Sequence, residues 1–112
     1  MPVDSDRGTQ GVHELGGGAQ ILAAPGETPG HQIVRIHSQG QTLYCVGDLY
    51  HHSLEAEQPE LMMRWASRES MLASRRALVE RALAENALIV ATHIPGIGRL
   101  RRSGDGIAWE AV

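Results

Sequence analysis

Apolar positions along this chain change their period twice, from strand-like to helical and back. Residues 19–24 (A-Q-I-L-A-A) predict a short strand, stopped by Pro25-Gly26. Residues 31–37 alternate, with Ile33, Val34 and Ile36 set among Gln32, Arg35 and an exposed His37. After the turn residues Ser38-Gln39-Gly40-Gln41, residues 42–46 resume in β-branched and aromatic types, so the two runs predict a hairpin ending at Gly47-Asp48. Residues 55–66 then read as a weaker helical stretch with Pro59 near its start. Ser67 is placed to cap a helix over Arg68–Glu85, in which Met71/Leu72, Leu78/Val79 and Ala82/Leu83 recur at helical spacing. Arg76–Glu80 and Arg81–Glu85 add pairs four residues apart on the wet side, and Asn86 suits the stop. Residues 88–91 read as a buried strand and 92–98 as a loop. Residues 99–102 and 107–111 read as a last hairpin, turning at Ser103-Gly104-Asp105-Gly106.

The order is therefore β-ββ-αα-β-ββ. It predicts an α/β (α+β) fold in which one long amphipathic helix covers a mixed sheet. Residues 1–18, polar and ending in Gly16-Gly17-Gly18, read as a flexible leader; no helix follows them, as a phosphate-cradling loop would require.

Composition narrows the function more than the fold. A length of 112 residues allows one small domain, and with two Trp, two Tyr and no Phe its core rests on aliphatic side chains and Met. A small core without disulfides favours a partner surface. The net charge of −3 argues against nucleic acid, and Arg99, Arg101 and Arg102 read as solvated charges. The longest purely apolar run, residues 87–91, is too short for a bilayer, and no signal-peptide pattern opens the chain. The lone Cys45 lies in an apolar run and reads as an inert thiol in a reducing, cytoplasmic protein.

Three polar residues sit at strand ends. His31 follows the loop A-P-G-E-T-P-G, Asp48 follows Gly47, and His93 follows the strand at 88–91. Strand ends can converge at one edge of a sheet, and two imidazoles with a carboxylate suit Zn²⁺, or Mn²⁺ or Fe²⁺. Taken singly, each has an ordinary structural reading as a hydrogen-bonded histidine or a turn aspartate. Spacing does not choose between these.

Four segments carry a resemblance. P-G-E-T-P-G-H-Q is similar to the G-H-T-P-G-H loop of the metallo-β-lactamase-fold metallohydrolases, and V-G-D-L-Y-H-H to their strand ending in a metal-bridging Asp. A-T-H-I-P-G-I-G-R-L resembles their last ligand loop, and G-I-A-W-E-A-V their closing strand. The four run in the same order over residues 19–112. The resemblance implies half of a four-layer αββα sandwich, the C-terminal one. It also implies metal ligation by His31, Asp48 and His93, with Asp48 bridging two ions. The implied activity is hydrolysis of an ester, lactone, thioester or phosphoester of a small molecule by an activated water.

Two departures qualify this. Glu27 stands where the family loop has a non-ligating histidine. The family's H-x-H-x-D-H motif is absent, and His13, His51 and His52 do not have its spacing. The expectation is then a truncated or split half, poorly active alone, with weak or partial metal occupancy. Its uncovered sheet face would call for a homo-oligomer or a complementary N-terminal half. The alternative is a non-catalytic binding or assembly module with vestigial ligands.

Overall fold

The computed structural model describes residues 12–112. Four strands come first: β1 (Val12–Gly16), β2 (Ala19–Ala23), β3 (Gln32–Ser38) and β4 (Gln41–Cys45). A 3-10 turn at Gly47–Leu49 leads to α1 (Leu54–Glu57) and α2 (Arg68–Glu85), and then to β5 (Leu88–Ala91), β6 (Ile94–Ser103) and β7 (Gly106–Ala111). Among the described residues these strands form one seven-stranded sheet in chain order. Every neighbour is antiparallel except β4 and β5, which the helical crossover makes parallel. The mixed sheet with one long helix is the expected fold class.

Register sorts the sheet into two unlike faces. Partners directly opposite share a face, so Leu22 with Ile33, and Arg35 with Tyr44 and Ile89, lie on the side that α2 covers. There Leu22, Ile33, Tyr44, Val46, Ile89 and Leu100 are buried against Met71, Leu78 and Ala82 of α2. Each such aliphatic side chain contributes about 1.5–3 kcal/mol, against a few tenths for an exposed helix ion pair, so packing holds α2 down. The opposite face carries the row Ile21–Val34–Cys45–Val90 and beside it Ala19–Ile36–Leu43–Leu88. None of these eight is fully buried. Cys45, expected as a buried thiol, is half-buried there.

Helix α2 has the expected bounds, with Ser67 Oγ accepting the Ser70 amide and Asn86 left-handed at the C-cap. Other elements differ from expectation. The weak helix at 55–66 shortens to α1, because Pro59 disfavours helical backbone at Gln58. Part of the anticipated leader, residues 12–16, forms β1 on the edge of the sheet; residues 1–11 lie outside the described part. The loop expected at 92–98 contracts to the turn Thr92-His93, because β6 begins at Ile94. Pro95 and Gly96 are tolerated in β6 because β7 pairs with it only from Gly98 onward.

Glu85 does not spend its charge on the wet side. It takes an ion pair from Arg35 at 2.9 Å and the Tyr44 hydroxyl at 2.6 Å, tying the end of α2 to β3 and β4. Burial pushes the Glu85 carboxyl up, but the Arg35 and Tyr44 hydrogen bonds outweigh it and leave the group below its ordinary value. A lowered carboxyl contributes stability above its unfolded value, and that stability disappears as pH falls through the folded one. Glu85→Gln is therefore expected to cost about 1 kcal/mol at neutral pH, the partly exposed setting considered. Urea unfolding of the two proteins should converge below about pH 3; a constant difference across that range would contradict the pairing.

Candidate metal centre

The site forms at the end of the sheet where β3 begins and β4 and β5 finish. The loop from Ala24 to His31 is pinned at both ends. The Ala24 amide donates to the His31 carbonyl at 2.9 Å, the Ser74 hydroxyl donates to Pro25 O at 2.7 Å, and the Ser67 amide donates to Gly26 O at 2.8 Å. Gly26 is required at this docking point, since a Cβ there would stand 2.8 Å from the Met71 Cα. The two Pro-Gly turns thus fold the loop onto α2 and deliver His31 at the sheet end.

His31 Nδ1 donates to Ala24 O at 3.1 Å, which leaves Nε2 with its lone pair. That lone pair accepts the Asp48 amide at 3.1 Å. His31 therefore touches Asp48 through the main chain, and ligating an ion with Nε2 would exchange this bond. Gly47, just before Asp48, has φ +55°, and a Cβ on it would crowd His31 Nε2 at 3.1 Å.

Asp48 and His93 do meet side chain to side chain. The Thr92 amide donates to Gly47 O at 3.0 Å, clamping the β5–β6 turn beside the end of β4. His93 Nε2 then lies 3.3 Å from Asp48 Oδ1. A third residue joins them. One ligand atom each from Asp48, His51 and His93 lies within 4.8 Å of the others, and the His51 and His93 rings stand edge to face at 4.9 Å. His51 is missing from the ligand set expected from the sequence. Its one signal was position, three residues after Asp48 in a tight turn, which puts both side chains on one side.

The segment carrying Asp48 and His51 is held from beneath by Arg75. In the apolar stripe of α2, Arg75 occupies the core position between Met71 and Leu78 and is 2% exposed. Its Nε donates to Leu49 O at 2.9 Å, Nη1 to Pro59 O and Leu61 O at 2.7 and 2.6 Å, and Nη2 to Glu55 Oε1 at 3.1 Å. Glu55 Oε1 also accepts the His51 amide at 2.6 Å. Arg75 thereby brackets the site from the residue after Asp48 to the amide of His51. Burial pulls the guanidinium below its ordinary value, and the Glu55, Tyr50 and Glu27 charges oppose that. It remains a cation at neutral pH. Its carbon stands 5.0 Å from the Tyr50 ring centroid, and burial first of all pushes the Tyr50 phenol up to about 12. A groove of about 830 Å³ lies elsewhere, between α2 and the β6–β7 hairpin, and contains none of His31, Asp48, His51 and His93.

Solved structures share this arrangement of strands and helix. AidC, a dizinc quorum-quenching lactonase, matches with a TM-score of 0.78 and 24% identity, over 88% of this chain and 35% of AidC. The hydrolase AbOPH, of the beta lactamase superfamily, matches at 0.76 and 21%, over 85% and 34%. The chain carries half of the metallo-β-lactamase fold. A B. thuringiensis AiiA variant with N-decanoyl-L-homoserine at its active site matches at 0.67 and 26%, over 76% and 34%. The chain spans about a third of the length of these metallo-β-lactamase-fold structures. No protein-family model matches it, and no curated protein sequence does. Within this fold, the three sequence-expected residues fall at strand ends on one edge of the sheet, and a divalent cation fits the Asp48/His93 donor set.

Arg75→Lys keeps the charge but cannot reach four acceptors, so it leaves buried carbonyls or Glu55 unpaired. It is expected to lose about 2–4 kcal/mol of stability. Amide shifts of Asp48 and His51 should move in its ¹⁵N spectrum; unchanged shifts there would show that Arg75 does not hold the site.

Proposed function

We propose that this chain is the C-terminal half of a metal-dependent hydrolase that opens a lactone or another ester, thioester or phosphoester of a small molecule. The observation that carries this reading is the side-chain meeting of Asp48 and His93 at 3.3 Å, at the sheet end of a metallo-β-lactamase half. His31 stands one backbone hydrogen bond away. Zinc is the cation this donor set suits best, with manganese or iron as alternatives. A bound divalent cation supplies Lewis acidity to the scissile oxygen and lowers the pKa of water. Asp48 and His93 would hold it, His31 orients Asp48 from the main chain or would exchange that bond for the ion, and the Arg75–Glu55 pair fixes the turn that carries Asp48 and His51.

The AidC lactonase and the AiiA variant are more than twice as long, and the open sheet face presents eight partly exposed side chains in two rows. We propose that a complementary N-terminal half of the sandwich covers this face and completes the substrate pocket, and that the isolated chain hydrolyses slowly. Homo-oligomerisation through the same rows is the competing arrangement.

Two measurements test this. Hydrolysis of acyl lactones and aryl esters should require added Zn²⁺ or Mn²⁺, stop with chelator, and fall at least about tenfold in Asp48→Asn; activity indifferent to chelator and to Asp48 would overturn the assignment. Val34→Glu on the open face should abolish association with an N-terminal half, seen by analytical ultracentrifugation, while leaving the fold of the chain intact. Unimpaired association would place the interface elsewhere.

A further inference from the structure

Glu27 and His51 meet at a buried spot. Among the described residues neither Glu27 Oε1 nor His51 Nε2 has a hydrogen-bond partner, and the two lie 3.4 Å apart, at ion-pair distance. The Glu27 side chain is 11% exposed and that of His51 13%. The other Glu27 oxygen is already engaged, accepting the Trp65 indole N–H at 2.7 Å. Trp65 is itself 66% exposed, so this is a surface contact, and Oε1 is left on the side of the imidazole. An unsatisfied buried carboxylate oxygen is costly, so the pair calls for a third party.

The neighbours of the pair indicate what that party is. Glu27 Oε1 and His51 Nε2 are 3.4 Å apart, and Asp48 Oδ1 and His93 Nε2 are 3.3 Å apart. His51 joins the pairs, since its ring belongs to the Asp48/His93 cluster and packs edge to face on His93. Two imidazoles with carboxylates beside them suit a divalent cation.

We propose that His51 joins Asp48 and His93 as a third donor to a divalent cation, with Glu27 behind it as the carboxylate that orients its ring. It rests on the metal-hydrolase reading above and goes beyond it: the chain brings its own donors to stand in for those that an H-x-H-x-D-H segment would supply. Glu27 lies outside the three-donor cluster and acts through His51, whose ring its carboxylate orients. That role makes its charge necessary for tight binding.

The test is equilibrium dialysis of the full chain against Zn²⁺, with Co²⁺ absorption spectra as a second readout and far-UV circular dichroism to check folding. Wild type should take up one equivalent, and Co²⁺ should give the intense visible bands of a four-coordinate site. Glu27→Gln, which keeps an acceptor for Trp65, and His51→Gln should each weaken Zn²⁺ binding at least about tenfold and alter the Co²⁺ bands. Trp65→Phe should leave binding within about threefold, because it removes only the indole contact. If Glu27→Gln and His51→Gln bind as wild type does while Asp48→Asn and His93→Ala do not, this proposal is overturned and the hydrolase reading stands. Trp65→Phe costing as much as Glu27→Gln would reduce Glu27 to packing and likewise overturn it. A wild-type chain that takes up no metal removes both.

Discussion

A single guanidinium decides whether the site end of this small protein can exist. Arg75 stands where an aliphatic residue would fit the stripe by which α2 packs on the sheet, and its burial is tolerable because four of its five N–H groups have acceptors. Its acceptors are not in α2. They are Leu49 O, Pro59 O, Leu61 O and Glu55, spread over the one stretch between β4 and α2 that has little regular structure of its own. Without that charge the carbonyls would turn to solvent, and the turn carrying Asp48 and His51 would have no floor. The helix that stabilises the sheet thereby also sets the geometry of the site.

A second loop docks on the same helix. Pro25 and Gly26 dock on Ser74, Ser67 and Met71, so the loop that presents Glu27 and His31 is registered against the residues flanking Arg75. The site is thus assembled from three chain segments that share one support, with the β5–β6 turn clamped on by the Gly47 carbonyl. This economy suits a chain whose aliphatic core is small. It also explains why its polar interactions are concentrated at two places, Arg75 beneath the site and Glu85 at the far end of α2.

Much of this was legible in the sequence. The bounds of α2, the β3–β4 hairpin and the mixed sheet follow from period and turn chemistry, and the strand-end positions of His31, Asp48 and His93 follow from motif order. What was not legible depends on partners far away in the chain. Arg75 reads as one more charge on a helix until Leu49, Pro59 and Leu61 are seen to surround it. Glu85 sits four residues after Arg81, yet its partners lie 41 and 50 residues away in β4 and β3. His51 looked superfluous beside Asp48 because spacing shows neither the turn that aligns them nor the carboxylate of Glu27 across from it. Pro95-Gly96 read as a loop because a local breaker is visible in sequence, whereas the end of β7 pairing that makes it harmless is not.

The half-fold and the donor cluster together make one physical claim, that this sheet end holds a divalent cation between Asp48 and His93. The most direct measurement is an anomalous-difference map at the zinc edge from crystals of the Zn²⁺-loaded chain. A peak about 2.0–2.2 Å from both Asp48 and His93 side chains is the expected result. Zinc found only at scattered surface histidines such as His37, with the sheet end free of density, would contradict it.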